Sequence, residues 1–354
     1  MAEQRLKDRN MEQDYKYMVA TRCFTYNHAQ YIEDALRGFA MQETTFPAVY
    51  IIVDDASTDE EPKVLRKWVN ENLQQTKGLE TWKRVPYGQL CVATLKNKPL
   101  STFVILLLDE NHYAPEKKSL KFEYIAEWYD NAKYRALCEG DDYWSDPLKL
   151  QKQVFFLETH ESVSLCFHPV KVVGEEIKIT FPKRVGYSCV DDLCFGNYIA
   201  TASVVCRNDK RIKDYEKTKI KYSRVGDFQT YMFYALIGDL YSFSEEMSVY
   251  RVHTENSWRG SDQYKKNKDY EGYLYNLINN KDMPRFPKFV LKIRSGINSI
   301  VLSERRALES DLSGNNNELN NAVGNKIKIR ALLLAYHTLR VLETIKYRFL
   351  NIIK

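Results

Sequence analysis

Tyr134-Arg135-Ala136-Leu137-Cys138, followed at once by Glu139-Gly140-Asp141-Asp142-Tyr143-Trp144, is the stretch that decides the fold. Its first half, Tyr134 to Cys138, reads as a short buried strand. Its second half places three carboxylates at the end of that strand. Buried carboxylates are costly unless something cationic meets them. A divalent ion such as Mg²⁺ or Mn²⁺ answers that need, because it takes hard oxygen ligands and is often shared between one or two carboxylates and substrate phosphates. Gly140 lets backbone approach closely, and Tyr143-Trp144 closes the loop. An enzyme acting on a phosphorylated substrate is the expectation.

The same grammar recurs upstream. Tyr17 to Phe24 reads as a first strand, and residues 28–41 carry Tyr31, Ala35, Leu36 and Phe39 at helical spacing. Val49 to Val53 is a continuous β-branched run ending in Asp54-Asp55, and Thr102 to Leu108 ends in Asp109-Glu110. Such runs suit buried parallel strands. Helical patterns over 60–77 and 117–133 alternate with them, which predicts an α/β fold with a mostly parallel central sheet flanked by helices. Ligands of open α/β sheets bind beyond the carboxyl ends of the strands. The three acidic strand ends are therefore expected to converge on one cleft. Residues 78–100 form an insertion without an assignment.

Beyond Cys138 the pattern is less regular. Asp146-Pro147 opens a helix, Val163 to Ile179 reads as strands broken at Gly174, and Ile199 to Cys206 reads as another strand. Residues 227–237 read as an apolar helix, Met247 to Val252 as a short strand, and 262–281 as a polar helix. The division expected is a leader over 1–16, a catalytic domain over 17–260, a helical extension over 261–312, a linker over 313–325 and a basic amphipathic helix over 326–354.

The bulk properties exclude several classes. The chain has 354 residues, 44% apolar and 28% charged, as soluble globular proteins do. Its net charge of +5 is concentrated in residues 325–354, which hold seven basic side chains and one acid. The rest is close to neutral, which argues against a general nucleic-acid binder. Seven scattered cysteines without a Cys-x-x-Cys pair favour reduced thiols and a cytoplasmic location. The polar, charged first 16 residues do not read as a signal peptide, and no apolar run reaches transmembrane length. The 326–353 helix has two readings: packing on the body or on a second subunit as a homodimer contact, or peripheral attachment to an anionic membrane face.

Five motifs then fall in order. Thr25-Tyr26-Asn27-His28 follows the first strand and Val53-Asp54-Asp55-Ala56-Ser57-Thr58-Asp59 closes the second. Glu139-Gly140-Asp141-Asp142-Tyr143-Trp144, Gly226-Asp227-Phe228 and Val249-Tyr250-Arg251-Val252-His253 come after. Together, over roughly residues 17–260, they resemble a family 2 glycosyltransferase of the GT-A (Rossmann-like) fold, in its bacterial surface-polysaccharide branch.

The resemblance implies specific roles. Thr25, Tyr26 and Asn27 would line the base and ribose region, and Asp55 would meet the base edge or ribose, as an acceptor-only carboxylate can. Glu139-Gly140-Asp141 occupies the place of the family's Asp-x-Asp motif with Glu in first position. Asp141 would bind the metal, Glu139 would act through water or on ribose, and Asp142 would orient the loop or contact the donor sugar. Asp227 matches the catalytic base, which takes the proton of the attacking hydroxyl so that one displacement inverts the anomeric carbon. Arg251 and His253 alternate on one strand and share a face. Arg251 would clamp the diphosphate, and His253 would be a further metal ligand or a phosphate donor. Asp59 reads as a helix N-cap. Trp258 would cover the site or simply pack, and Asn197 to Ser203 would line the acceptor side.

The function expected is an inverting, Mn²⁺- or Mg²⁺-dependent hexosyl- or N-acetylhexosaminyltransferase. It would carry sugar from a nucleoside-diphosphate sugar, a UDP-sugar for preference, to a saccharide or lipid-linked saccharide acceptor in bacterial polysaccharide synthesis. The rivals are a nucleotidyltransferase or phosphohydrolase using the same acids, and a non-catalytic sugar-nucleotide-binding module.

Overall fold

The structure is a computed structural model that describes residues 15–74, 80–114, 117, 119–174, 181, 184–217, 226–253, 263–312 and 331–339. The expected leader, the linker over 313–325, Trp258 and most of the 326–353 helix lie outside the described residues. In chain order the first elements are β1 (Tyr17–Thr25), α1 (Ile32–Ala40), β2 (Ala48–Asp54), α2 (Glu61–Asn72), β3 (Lys83–Val85), β4 (Gly88–Leu95) and β5 (Lys98–Leu108). Next come α3 (Leu120–Tyr129), β6 (Ala132–Leu137), β7 (Tyr143–Trp144), α4 (Lys149–Thr159), β8 (Val163–Phe167), β9 (Val170–Gly174) and β10 (Gly186–Ser188). The remainder is α5 (Val190–Leu193), β11 (Val205–Arg207), α6 (Lys210–Lys217), α7 (Gly226–Ile237), β12 (Asp239–Ser242), β13 (Ser248–Val252), α8 (Gln263–Ile278) and α9 (Arg285–Leu312).

The chain forms two compact units. The first comprises the residues up to Phe156 with Val205–Asn208 and Met247–Val249, and the second comprises Leu157–Val204, Asp209–Glu246 and the chain from Tyr250 onward.

The first unit is the α/β fold read from the sequence. Its strands lie in the order β11-β6-β1-β2-β5-β4-β3. The middle four are parallel, with β1 between β6 and β2, and β2 between β1 and β5. The edges are antiparallel, β11 on β6 at one side and β4 on β5, then β3 on β4, at the other. The chain leaves β1 toward β2 and β5, then returns to β6 on the opposite side of β1. That reversal is the switch point at which open α/β sheets bind ligands.

Alternation along β2 supplies both cores. Val49, Ile51 and Val53 pack with Val104, Leu106, Ile125 and Trp128 beneath α3. On the other face Tyr50 stacks on Phe39 of α1 at 5.6 Å, and the edge of Trp144 meets Phe39 at 4.9 Å. Every residue of β2 is buried, as a central parallel strand requires. Residues 80–100, unassigned from the sequence, are the β3–β4 hairpin and the start of β5, and β5 begins four residues earlier than predicted.

In the second unit β12 pairs in parallel with β8 and antiparallel with β10. The predicted strand over Ile199 to Cys206 is instead a 3₁₀ turn at Thr201–Ser203 followed by β11. The Ser203 hydroxyl donates to the Ala200 carbonyl at 2.6 Å and tightens that turn. The stretch is also interrupted at His168-Pro169, since proline cannot donate to a sheet ladder, and β9 ends at Gly174, beyond which residues 175–180 lie outside the described residues. Helical residues 331–339 lie on the body of this unit, where the Tyr336 hydroxyl donates to the Phe195 carbonyl. Among the described residues no helix is long and apolar enough to cross a membrane.

Gly38 marks the tightest packing of α1. A Cβ there would stand 2.9 Å from both the backbone nitrogen and the backbone oxygen of Trp144. Gly38→Ala is expected to lower the thermal midpoint, at a cost of about 1–3 kcal/mol from overpacking against backbone. An unchanged unfolding curve would show that β7 can yield.

Candidate functional site

The candidate site of the first unit is built on the loops after β1, β2 and β6. Thr25 ends β1 and is buried. Its hydroxyl donates to Glu61, and its oxygen lies 3.1 Å from His28 Nδ1. Because the single hydroxyl proton is directed to Glu61, Nδ1 of His28 carries the hydrogen toward Thr25. His28 then presents Nε2 as the acceptor, the form a metal ligand takes.

Glu61 is fully buried at the start of α2. It also accepts from the His28 backbone N–H and the Ser57 hydroxyl, each at 2.9 Å. Asn27 ties the same two loops together. Its N–H donates to Ser57 Oγ at 2.9 Å, and its side-chain oxygen accepts from the Thr58 N–H at 2.8 Å. Asn27 and Ala56 both hold left-handed backbone, with φ of 56° and 60°. Asn tolerates this better than Ala, whose Cβ meets the following carbonyl. Asp59 accepts from the N–H of Ala29 and of Glu61 at 3.0 Å, so it serves as a loop tie and a helix-start cap.

The β6 loop closes on this pair. Gly140 N–H donates to the Phe24 carbonyl at 3.1 Å. A Cβ on Gly140 would fall 2.2 Å from Thr25 Oγ1 and 3.2 Å from His28 Nδ1, so only glycine fits. Asp141 then lies with a carboxylate oxygen within 4.8 Å of a ring nitrogen of His28. This pairs a hard oxygen with an imidazole, two donor types that divalent metal ions take. Glu139 is partly exposed and faces Arg22 at 3.4 Å, while Asp142 is buried.

The acids share one field. The thiol of Cys23, on β1, is pushed well up, first by burial and then by Glu139, Glu61 and Asp141. Carboxylates from two loops therefore act on one sulfur. Burial also lifts the Asp54 carboxyl to about 7, against the pull of its Ser57 hydrogen bonds and with the help of neighbouring Glu61.

Asp55 is committed inside the fold. Its oxygens accept from the His112 N–H at 2.7 Å and from Lys121 Nζ at 2.6 Å, with both charged side chains buried. A carboxylate offers about four lone-pair positions, so these partners leave room for a further donor. Tyr26, by contrast, is exposed. Asp109 and Glu110 do not join the cleft. They are exposed and paired with Arg84 and Lys117, so the expected three-way convergence of acidic strand ends reduces to β2 and β6. No two of the seven cysteines form a disulfide.

In the second unit Asp227 is exposed in the first turn of α7, where its carboxylate accepts from Thr201 Oγ1 at 3.3 Å. Arg251 lies on β13 and His253 just beyond it, both half-buried.

Glu61, Lys121 and His28 were not selected from the sequence. Two of them carried a readable signal. Glu61, Leu65, Trp68 and Val69 form the buried face of α2, and Lys121, Ile125 and Trp128 that of α3. A charged residue on an apolar stripe is a buried ion awaiting a partner.

No family model matches the chain. Uncharacterized proteins of Mycobacterium tuberculosis and Mycobacterium bovis are 33% identical over 242 residues, covering 67% of this chain and 59% of theirs. The chain thus spans 59% of the length of the curated relatives it matches. Among solved structures, Staphylococcus aureus TarS 1–349 in complex with UDP-GlcNAc aligns with a TM-score of 0.53 at 13% identity, over 91% of this chain and 81% of that one. Mannosyltransferase PcManGT from Pyrobaculum calidifontis, in complex with GDP-Man and Mn²⁺, aligns at 0.52 and 14%, over 96% and 94%. The fold is that of these GT-A-like glycosyltransferases.

Asp54 makes the site pH-sensitive. It keeps its proton to about pH 7 when folded and loses it near pH 4 when unfolded. Its contribution to stability is complete below the unfolded value and disappears as pH rises to about 7. Asp54→Asn, which cannot ionise, is expected to flatten the fall in thermal midpoint between about pH 4 and pH 7. Parallel falls in both proteins would assign that dependence to another group.

Proposed function

We propose that the protein is an inverting, divalent-metal-dependent glycosyltransferase. It moves a hexosyl or N-acetylhexosaminyl group from a nucleoside-diphosphate sugar, a UDP-sugar for preference, to a saccharide or lipid-linked acceptor hydroxyl. One observation carries the reading. Within a glycosyltransferase fold, the β6 loop packs on the β1 loop through Gly140, at the switch point of the sheet, and brings Asp141 toward His28. The UDP-GlcNAc complex of TarS and the GDP-Man and Mn²⁺ complex of the mannosyltransferase support a nucleotide-sugar donor and a metal. A place in bacterial glycan synthesis and a cytoplasmic location belong to the same proposal.

Asp141 and His28 are the first-unit groups we assign to the metal, and His253 keeps its sequence-derived role as a further ligand. A bound divalent ion would offset the charge that develops on the departing diphosphate. The protein's own groups do the rest. Thr25, Tyr26, Asn27 and Asp55 form the nucleoside side, with Asn27 and Asp55 acting chiefly by holding its loops. Glu139 and Asp142 flank the donor sugar, and Arg251 clamps the diphosphate through its planar fork. Asp227 accepts the proton of the acceptor hydroxyl. As that oxygen bonds to the anomeric carbon, the bond to the diphosphate breaks, and the electron pair leaves with the nucleoside diphosphate.

Nucleotide-sugar turnover with Mn²⁺ tests the assignment. Transfer releases nucleoside diphosphate, whereas nucleotidyl transfer releases pyrophosphate. Asp227→Asn is expected to lower kcat by about a hundredfold to ten-thousandfold while leaving donor affinity unchanged. Pyrophosphate as product, or full activity in Asp227→Asn, defeats the reading or its base. Asp141→Asn is expected to abolish the Mn²⁺-dependent rise in thermal midpoint that the donor nucleotide produces in the wild type. A rise of the same size in the variant would remove Asp141 from the metal.

A further inference from the structure

The second unit exposes large apolar side chains among cations. On α9, Phe286 and Phe289 are 38% and 54% exposed. They stand three residues apart and are neighbours on the helix surface. Arg285 and Lys292 are exposed on the same stretch of α9, and Lys281 is exposed just before it. On the helical segment 331–339, Leu333 and Leu334 are also exposed. Single exposed apolar residues are ordinary, whereas adjoining ones mark an interaction surface.

The two elements adjoin. A Cβ on Gly296 of α9 would stand 3.3 Å from Leu332 Cδ1. One turn after Leu332, the Tyr336 hydroxyl donates to the Phe195 carbonyl, and its ring lies 5.9 Å from the Phe195 ring. Phe195 in turn meets the Phe286 ring of α9 at 6.1 Å. Leu332 and Tyr336 therefore face the body of the unit, while Leu333 and Leu334 remain on its surface. Packing and an exposed apolar face, alternatives in the sequence, coexist on this segment.

Charge selects what covers that surface. Residues 261–354 hold 17 basic side chains and nine acidic ones, a net of +8 against +5 for the whole chain, so the remainder is net negative. A symmetric self-contact would lay this surface on its own copy and set like charge against like. A nucleic-acid backbone would satisfy the cations and offer nothing to Phe289 and Leu334. An anionic bilayer answers both needs, with headgroups for the cations and an acyl boundary for the apolar side chains.

We propose that α9 and the 331–339 segment form a peripheral docking surface for an anionic lipid bilayer. Phe289 and Leu334 enter the headgroup boundary, and Arg285 and Lys292 pair with lipid phosphates. The surface rests on exposure and charge and is independent of the glycosyltransferase reading, to which it adds a way of meeting a lipid-linked acceptor.

Cosedimentation of the full chain with sucrose-loaded vesicles tests the surface. Vesicles of phosphatidylcholine with phosphatidylglycerol, at roughly 7:3, are expected to bind the protein about tenfold more tightly than phosphatidylcholine alone, and about 1 M salt is expected to remove the difference. Phe289→Ser with Leu334→Ser, which leaves the charge unchanged, is expected to weaken binding to the anionic vesicles about tenfold. Arg285→Gln with Lys292→Gln is expected to weaken it by a similar factor. Absent binding, or equal binding to both vesicles, overturns the proposal. Binding undiminished in either double variant does so too, and the second pair serves if the first fails to fold. Light scattering covers the remaining occupant: a wild-type dimer that dissociates in Phe289→Ser with Leu334→Ser makes the patch a self-contact and defeats the lipid assignment. The assay needs no nucleotide, so its failure leaves nucleotide-sugar turnover untouched, and failed turnover leaves the docking surface standing.

Discussion

A single buried carboxylate holds the candidate site of the first unit together. Glu61 has no solvent exposure, yet it sits where three donors converge: the Thr25 hydroxyl, the His28 N–H and the Ser57 hydroxyl. Burying such a group without partners costs several kcal/mol. The loops after β1 and β2 can therefore lower the energy of the fold only by closing around it. Its position in the first turn of α2 adds the positive end of the helix dipole. Once Thr25 is fixed by Glu61, the Gly140 backbone can dock against it, and the β6 loop inherits its place from a residue that belongs to neither strand.

The acids that drew attention in the sequence divide by their partners. Asp55 is neutralised by Lys121, Glu61 by dipoles and donated hydrogen bonds, and Asp109 and Glu110 by surface cations. Exposed pairs of the last kind contribute little to stability. Asp141 has a different neighbour, the imidazole of His28. The metal reading therefore rests on this one acid and its imidazole neighbour, while most of the surrounding negative charge serves the architecture.

Much of the fold was legible because period and burial agree. Val49 to Val53 is β-branched without interruption, and it is buried on both faces of the central strand. The motif order was legible for the same reason, since each motif begins where a strand or helix boundary is forced. Failures occurred where tertiary partners override local pattern. Ile199 to Cys206 looks like a strand, but the Ser203 hydroxyl finds a local carbonyl and bends it into a turn. The insertion before β5 has no alternation strong enough to announce a hairpin, and it is a strand pair because β5 offers it an edge. Asp109-Glu110 resembles Asp54-Asp55 in sequence. Pairing of Asp109 to Arg84, brought in by that same hairpin, and of Glu110 to Lys117 sets them apart.

Backbone strain carries the argument one step further. Asn27 and Ala56 occupy left-handed conformations in the two loops that Glu61 draws together. For Ala56 this costs about 1–2 kcal/mol. Such strain persists only where its surroundings over-determine it. Here the surroundings are the hydrogen bonds among Asn27, Ser57, Thr58 and Glu61. The loop rim is set during folding, so a ligand arriving there need not order it. The entropic cost of shaping the rim falls on the fold, and on the proposed reading the binding free energy of a nucleotide remains available for orienting what it carries.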